Sequence, residues 1–141
     1  MDANQRRDIV ADCTALMVRS FVLLDGRQYE SLAGLFGVDG EWVRGGKPCV
    51  GAGEIMQSLN ERPADIVIRH LLTNVDVSAL GPDSAEGVGY FLVYKAKGDG
   101  GLPPLPAPLV APEMVAEVHD RYQRRDGEWR IKQRKTKRIF E

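Results

Sequence analysis

The sequence predicts an α+β fold in which helices come first and most of the strands follow. Three observations support this prediction. Apolar side chains recur at three- and four-residue spacing over residues 4–25, β-branched and aromatic residues are frequent in three later segments, and an Asp-Gly turn signal lies near the C-terminus. The order of two helices, a short strand, a third helix and then successive strands favours an antiparallel meander over a parallel sheet.

The first predicted helix covers residues 4–25. Asp25 and Gly26 end it, because glycine commonly follows the last helical turn. A second, short helix is expected over residues 28–36. The apolar positions of the first helix are Ile9, Val10, Cys13, Leu16, Met17, Phe21 and Leu24.

The later elements follow from turn signals and from residues that favour strands. A turn is expected over residues 37–40, and a glycine-rich start introduces a third helix. An Asp-Gly hairpin turn precedes the last strand. The predicted ranges are 41–44 for a short strand, 51–60 for the third helix, and 66–78, 85–97, 113–124 and 129–140 for the longer strands.

Residues 98–112 are too rich in proline for a helix or a strand and too long for a simple hairpin loop. Three interpretations stay open at this point. The segment is a lid, an oligomer contact or a mobile insertion.

Length and composition predict one soluble globular domain over residues 1–141. The chain is 43% hydrophobic and 28% charged, and its net charge of −1 gives no reason to expect a nucleic-acid partner. Basic residues are concentrated only in the last strand, where a solvated strand face is the expected explanation. They are Arg130, Lys132, Arg134, Lys135, Lys137 and Arg138.

The two cysteines, Cys13 and Cys49, have no metal-ligand spacing and are too few for a disulfide framework. We expect free, buried thiols in a reducing cytoplasm. The first ten residues are too charged for a signal peptide, and no apolar run approaches the roughly 20 residues of a membrane span. The sequence therefore predicts a cytoplasmic protein with no membrane association.

Asp25 and His70 are the strongest candidates for chemistry. Asp25 ends the first helix, and His70 lies in the strand-like segment 66–74. If the fold joins them, the aspartate holds one imidazole nitrogen and leaves the other free to accept a proton. Two structural alternatives remain, since Asp25 could cap the next helix and His70 could be a hydrogen-bonded core residue.

Three segments carry a resemblance to a known family: FVLLDGRQYESLAGLFGVDGEW, RHLLTNV and DRYQRRDGEWRIKQR. They resemble the SnoaL-like branch of the nuclear transport factor 2-like superfamily. Within that branch the chain is most similar to the group that contains scytalone dehydratase, bile-acid 7α-dehydratase and γ-hexachlorocyclohexane dehydrochlorinase. The similarity extends over almost the whole chain.

The resemblance implies a cone-shaped α+β barrel, in which N-terminal helices close a strongly curved antiparallel sheet around an apolar pocket. Members of this group use an Asp-His dyad in the pocket, and Asp25 and His70 match its positions. A pocket arginine matches Arg134. Simple alternation, however, places Arg134 on the face opposite Trp129 and Ile131, so a β-bulge is required.

The resemblance also implies substrate contacts from Trp42, Phe21, Leu24 and Tyr90. Scytalone dehydratase carries pocket tyrosines and a second histidine, whereas this chain has other residues there. Because of these departures, we do not expect the protein to dehydrate scytalone or bile acids. The departing positions are Ser20, Leu24 and Lys97, and the possible substitutes are Tyr90, Tyr94 and His119.

Together these expectations describe a lyase or isomerase that needs no metal and no organic cofactor. His70 removes a proton from a small, hydrophobic, cyclic substrate, Asp25 fixes the tautomer, and Arg134 balances the departing anion or an enolate. The rival expectation is a non-catalytic cone that binds a small molecule or serves in an assembly. Under either expectation, the resemblance implies a homodimer or a homotrimer.

Overall fold

The computed structural model describes all 141 residues and confirms the α+β class. Three helices and six strands follow one another along the chain. The helices are α1 (Ala3–Asp25), α2 (Tyr29–Ala33) and α3 (Gly51–Asn60). The strands are β1 (Phe36–Arg44), β2 (Lys47–Val50), β3 (Ile66–Gly81), β4 (Ser84–Lys97), β5 (Met114–Arg125) and β6 (Glu128–Phe140).

The six strands form one curled, unclosed sheet in the order β2-β1-β6-β5-β4-β3. Helix α1 packs across the inner face of this sheet. Four of the strand pairs are antiparallel, but β1 runs parallel to β6. The sequence did not predict that pair, because β1 and β6 are separated by most of the chain and meet only in the folded sheet.

Helix α1 begins with a capping box. The Asp2 carboxylate accepts a hydrogen bond from the Gln5 backbone N–H at 2.8 Å, and the Gln5 side chain accepts one from the Asp2 N–H at 2.9 Å. The buried face of the helix includes Cys13, Met17 and Phe21. The helix ends at Asp25, so its last turn lies over the sheet beside β3.

A bulge in β3 changes which residues face inward. Thr73 pairs with Tyr90 and Asp76 pairs with Val88, so three steps on β3 match two steps on β4. Asn74 takes up the extra residue with a φ of 50°. Before the bulge, the inner face of β3 includes the even-numbered His70. After the bulge, the odd-numbered residues of β3, such as Val77, lie on the inner face.

A second bulge lies in β6. Tyr122 pairs with Ile131 and Arg121 pairs with Gln133, so Lys132 is the extra residue. This irregularity places Arg134 on the same inner face as Ile131, and both side chains are fully buried. The β-bulge that the sequence required for an inward-facing Arg134 is therefore present.

The segment before α3 differs from the prediction. Helix α2 ends at Ala33, because Phe36 already pairs with Ile131 and the Leu35 carbonyl accepts from the Ile131 N–H at 2.8 Å. The expected turn at 37–40 lies inside β1, where the register to β6 shifts between Phe36 and Glu41. Strand β2 was not predicted.

Residues 98–112 connect β4 to β5 without regular structure. The Gly98 N–H donates to the Asp65 carbonyl at 2.7 Å, and the Glu113 N–H donates to the Val93 carbonyl at 2.7 Å. Both ends of the segment are thus fixed to the sheet. All three leucines of the segment, Leu102, Leu105 and Leu109, are exposed.

Cys13 and Cys49 are free and buried, as the sequence predicts. Burial, followed by the nearby negative charge of Asp12, raises the pKa of the Cys13 thiol to about 12. The thiol is therefore protonated and unreactive at neutral pH. None of the helices is both long and apolar enough to cross a membrane.

We predict that Gly40→Ala destabilises the protein by about 1–3 kcal/mol. A Cβ at Gly40 would lie 2.8 Å from the Gly37 nitrogen and 2.8 Å from the Phe36 Cβ, inside the irregular part of β1. Urea unfolding measures the change. Gly53→Ala is the control, because that helical position has open space around it and alanine favours a helix by up to about 1 kcal/mol. Equal stability of the two variants would contradict the prediction.

Candidate active site

A cavity of about 540 Å³ opens on the inner face of the sheet. Helix α1, the end of β1, the turn after α3 and strands β3 to β6 enclose it. Its walls are a mixture of apolar and basic side chains. The apolar part includes Phe21, Leu24, Trp42, Ile68, Phe91, Val93, Met114 and Ala116.

Asp25 and His70 meet at this cavity. The Asp25 Oδ1 atom lies 2.6 Å from His70 Nδ1, and Asp25 Oδ2 accepts from the His70 backbone N–H at 2.8 Å. The side chains of His70 and Asp25 are only 12% and 11% exposed. Two contacts to one residue fix both the position and the rotation of the carboxylate.

This geometry assigns the roles of the two imidazole nitrogens. An ionised carboxylate can only accept, so the bond to Asp25 places the proton on Nδ1 of a neutral His70 and leaves Nε2 with its lone pair. His70 lines the cavity, and Nε2 has no hydrogen-bond partner in the protein. The alternative that Asp25 caps the next helix is wrong, because α2 has no side-chain cap.

Two phenylalanines hold the imidazole ring from the inner side. The ring of His70 lies 5.3 Å from Phe21 and 5.5 Å from Phe91 between centroids, both in tilted arrangements. Phe21 and Phe91 also contact each other at 5.2 Å. Their packing restricts the rotation of His70 and covers part of its ring with apolar surface.

Arg134 also packs against Phe21. Its guanidinium carbon is 5.1 Å from the ring centroid of Phe21, 5.9 Å from that of Phe36 and 5.5 Å from that of Trp42. Asp120 accepts two hydrogen bonds from Nε and Nη2, each of 2.7 Å. The remaining nitrogen, Nη1, is buried and has no partner in the protein.

The charge of Arg134 is maintained by Asp120. Burial works to lower the pKa of Arg134, but the attraction and hydrogen bonds of Asp120 outweigh it, so the pKa is raised above its ordinary value. Arg134 also lines the cavity. Its unpartnered, charged N–H group attracts an anionic or developing negative atom of a bound molecule, and a direct hydrogen bond requires a small movement of the side chains that bury it.

Asp120 and Tyr122 are parts of the site that sequence reasoning missed. The Tyr122 hydroxyl donates to Asp120 Oδ2 at 2.9 Å. Burial, followed by the Asp120 charge, raises the pKa of Tyr122, so this donor keeps its proton. The available signal was the alternation of Val118, Asp120 and Tyr122, which places the aspartate among buried residues of β5.

The expected substrate contacts divide into two groups. Phe21, Leu24 and Trp42 are buried and line the cavity. The expectation for Tyr90 is corrected, since Tyr90 is 44% exposed and lies outside the cavity. Alternation on β4 turns the next residue, Phe91, inward instead.

The other possible substitutes for the missing family residues also lie elsewhere. Neither Tyr94 nor His119 lines the cavity. His119 is half exposed and pairs with Glu117 at 2.9 Å on the outer face of β5. Lys97 and residues 98–112 are likewise absent from the cavity wall.

The basic C-terminal segment is not a uniform solvated face. As expected, Lys132, Lys135, Lys137 and Arg138 are exposed, although Lys135 and Arg138 also border the cavity. The expectation failed for Arg134, which is fully buried because the bulge at Lys132 changes which residues face inward. No three side chains of His, Cys, Asp or Glu gather as candidate metal ligands.

The chain belongs to a known family. Residues 5–135 match the SnoaL-like domain family, which confirms the family resemblance of the sequence. No curated protein matches the chain in sequence. Many solved structures share the fold, including members of the nuclear transport factor 2-like superfamily.

Three solved structures illustrate the similarity. ActVI-ORFA from Streptomyces coelicolor is 24% identical, with a TM-score of 0.72 over 91% of this chain and 95% of that one. A hexachlorocyclohexane dehydrochlorinase, LinA type 2, is 20% identical, with a TM-score of 0.73 over 92% and 84%. A protein from Catenulispora acidiphila in complex with S-DNPA is 22% identical, with a TM-score of 0.73 over 91% of each chain.

We predict that Asp120→Ala destabilises the protein by about 3–5 kcal/mol, because it leaves the buried Arg134 charge without its partner. Urea unfolding followed by circular dichroism measures the loss. Glu117→Ala is the matched control. It removes a carboxylate from the outer face of the same strand, where its pairing with the exposed His119 contributes at most about 1 kcal/mol. A smaller loss for Asp120→Ala than for Glu117→Ala would refute the prediction.

Proposed function

We propose that this protein is a cofactor-independent lyase or isomerase that acts on a small, hydrophobic, cyclic substrate. The observation that carries the proposal is the Asp25–His70 pair, whose free imidazole nitrogen belongs to a residue that lines the cavity. A histidine held in this way is suited to act as a general base. The reaction class is dehydration or dehydrohalogenation, or a related isomerisation.

In the proposed reaction, His70 Nε2 removes a proton from a carbon that is next to an activating group or next to the carbon that bears the leaving group. The electron pair of the broken C–H bond forms a double bond, and the leaving group departs with its own pair as hydroxide or halide. In an isomerisation, the protonated His70 returns the proton to a different carbon. Asp25 fixes the tautomer and stabilises the imidazolium in both cases.

Arg134 is the proposed electrostatic group. Its Nη1 atom is the only nitrogen of the guanidinium not used by Asp120, and Phe21 packs against both Arg134 and His70. A leaving group or enolate oxygen that accepts from Nη1 gains a charged hydrogen bond without exposure to bulk water. Trp42 and Leu24 supply apolar contacts to the substrate ring.

Known relatives support the reaction class and the kind of ligand. A structural neighbour is a dehydrochlorinase, and another was solved with a small molecule bound. The main rival is a binding or assembly protein with the same cone.

We predict that His70→Gln lowers turnover by at least about 100-fold, because general-base catalysis commonly contributes about 10²- to 10⁴-fold. Asp25→Asn also lowers turnover, since the tautomer of His70 is no longer fixed. The assay screens cyclic alcohols, halides and enones for proton loss or exchange with solvent deuterium, followed by NMR.

His119→Gln is the matched control for this experiment. It also removes a histidine paired with a carboxylate, but that histidine lies on the outer face, so its rate should equal that of the wild type. Equal rates in the wild type, His70→Gln and Asp25→Asn would exclude the dyad mechanism. If the protein binds some of these compounds but turns over none of them, the rival explanation of a non-catalytic binding protein is favoured.

We further propose that the protein forms a homodimer or homotrimer through the outer face of the sheet. Leu71, Leu80 and Tyr90 are between 44% and 59% exposed on β3 and β4. Burying such side chains against a second copy removes apolar surface from water. Light scattering should give a mass of two or three times 15.6 kDa, and a single 15.6 kDa species would contradict the proposal.

A further inference from the structure

The wall of the cavity carries many cations and no carboxylate. Asp25 and Asp120 lie behind the wall, and the acidic partners of the other cations are exposed at the surface. The cationic side chains of the wall are Arg44, Arg62, Lys95, Arg134, Lys135 and Arg138. Two of them, Arg44 and Arg62, are partly buried and have no carboxylate within ion-pair distance.

Arg44 is held at the end of β1. Its Nε donates to the Ser58 hydroxyl at 2.9 Å, and its guanidinium carbon lies 4.8 Å from the ring centroid of Trp42. Burial, followed by repulsion from Arg62, lowers the pKa of Arg44, and the weaker attraction of Glu61 does not cancel this. The side chain still carries its charge, because arginine is not deprotonated in proteins.

Arg62 is held in the turn after α3. Its Nη1 donates to the Leu24 carbonyl at 3.1 Å and to the Tyr29 hydroxyl at 3.0 Å. Both acceptors are neutral, so the hydrogen bonds position the guanidinium without balancing its charge. Leu24 is covalently joined to Asp25, which places Arg62 next to the dyad.

The two arginines and His70 line the same cavity and are connected to one another by two chains of contacts. One chain runs from His70 through Phe21 to Arg134, and then through Trp42 to Arg44. The other runs from His70 through Asp25 and Leu24 to Arg62. A molecule that fills this cavity of about 540 Å³ therefore lies beside His70 and beside both arginines that lack a carboxylate partner.

We propose that Arg44 and Arg62 form a subsite for an anionic group, a carboxylate or a phosphate, on the molecule that occupies the cavity. That this molecule is also the substrate rests on the proposed function. Two like charges held together in partly buried positions repel each other, and a bound anion removes this cost. Arginine is suited to the task, because its planar group donates two parallel hydrogen bonds to a carboxylate or phosphate.

The experiment measures the affinity of three naphthalene probes by isothermal titration calorimetry. They are naphthoate, naphthyl phosphate and the neutral naphthamide. We expect naphthoate or naphthyl phosphate to bind the wild type at least about tenfold more tightly than naphthamide, since each hydrogen bond to a charged group contributes that much. Whichever of the two anions binds more tightly identifies the anionic group.

Arg44→Gln and Arg62→Gln should each lower the affinity for the anionic probe about tenfold and leave the affinity for naphthamide unchanged. The neutral probe thus reports whether the cavity remains intact in each variant. Arg62→Lys should retain part of the preference, because it keeps the charge. Arg7→Gln is the control, since it makes the same charge change at an exposed position on α1, away from the cavity.

Equal affinity of the wild type for the anionic and neutral probes would overturn the proposal, as would no measurable binding of any probe. Unchanged binding of the anion to Arg44→Gln would also overturn it. The preference for the anion is a binding measurement on the wild type and the arginine variants, and it needs no turnover. If the preference for the anion depends on the arginines but no turnover depends on His70, only the proposed reaction is refuted. If turnover depends on His70 but the anion is not preferred, only the anionic subsite is refuted.

Discussion

The buried ion pair between Arg134 and Asp120 is the interaction on which the cavity depends. Removing two such charges from water costs several kcal/mol for each ion, and this cost is offset only where the geometry is good and the remaining polar atoms are paired. Here the carboxylate accepts two bonds from Arg134 and a third from Tyr122. Aromatic rings from α1 and β1 then pack on the guanidinium, so three parts of the fold meet at one side chain.

The two aspartates of the site act in the same way at different places. Asp120 occupies two nitrogens of Arg134 and leaves Nη1 unpaired, and Asp25 occupies Nδ1 of His70 and leaves Nε2 unpaired. Each carboxylate orients a functional group while remaining behind the wall of the cavity. The interior is consequently apolar with an excess of positive charge, which favours negative charge on a bound molecule and negative charge that develops during a reaction.

The sequence predicted the dyad more readily than the rest of the site because Asp25 and His70 lie in strong local patterns. The position of Arg134 could not follow from alternation alone, since the bulge at Lys132 depends on pairing with β5. Tyr90 was placed wrongly because a period of two separates the faces of a strand without identifying the inner one. The start of β1 was missed because Phe36 belongs to the sheet only through its pairing with Ile131 on the last strand.

The positions of the unpaired arginines bear on how a small substrate would be oriented. Apolar walls bind a ring but select its rotation weakly, because apolar attraction has little directional preference. An anionic group held by Arg44 and Arg62 fixes one end of the molecule, and the reacting carbon is then presented to His70 from a limited set of directions. Restricting orientation in this way lowers the entropic part of an activation barrier. The positive charges of this cavity would thus have two roles. Arg44 and Arg62 would position the substrate, and Arg134 would stabilise negative charge at the reacting centre.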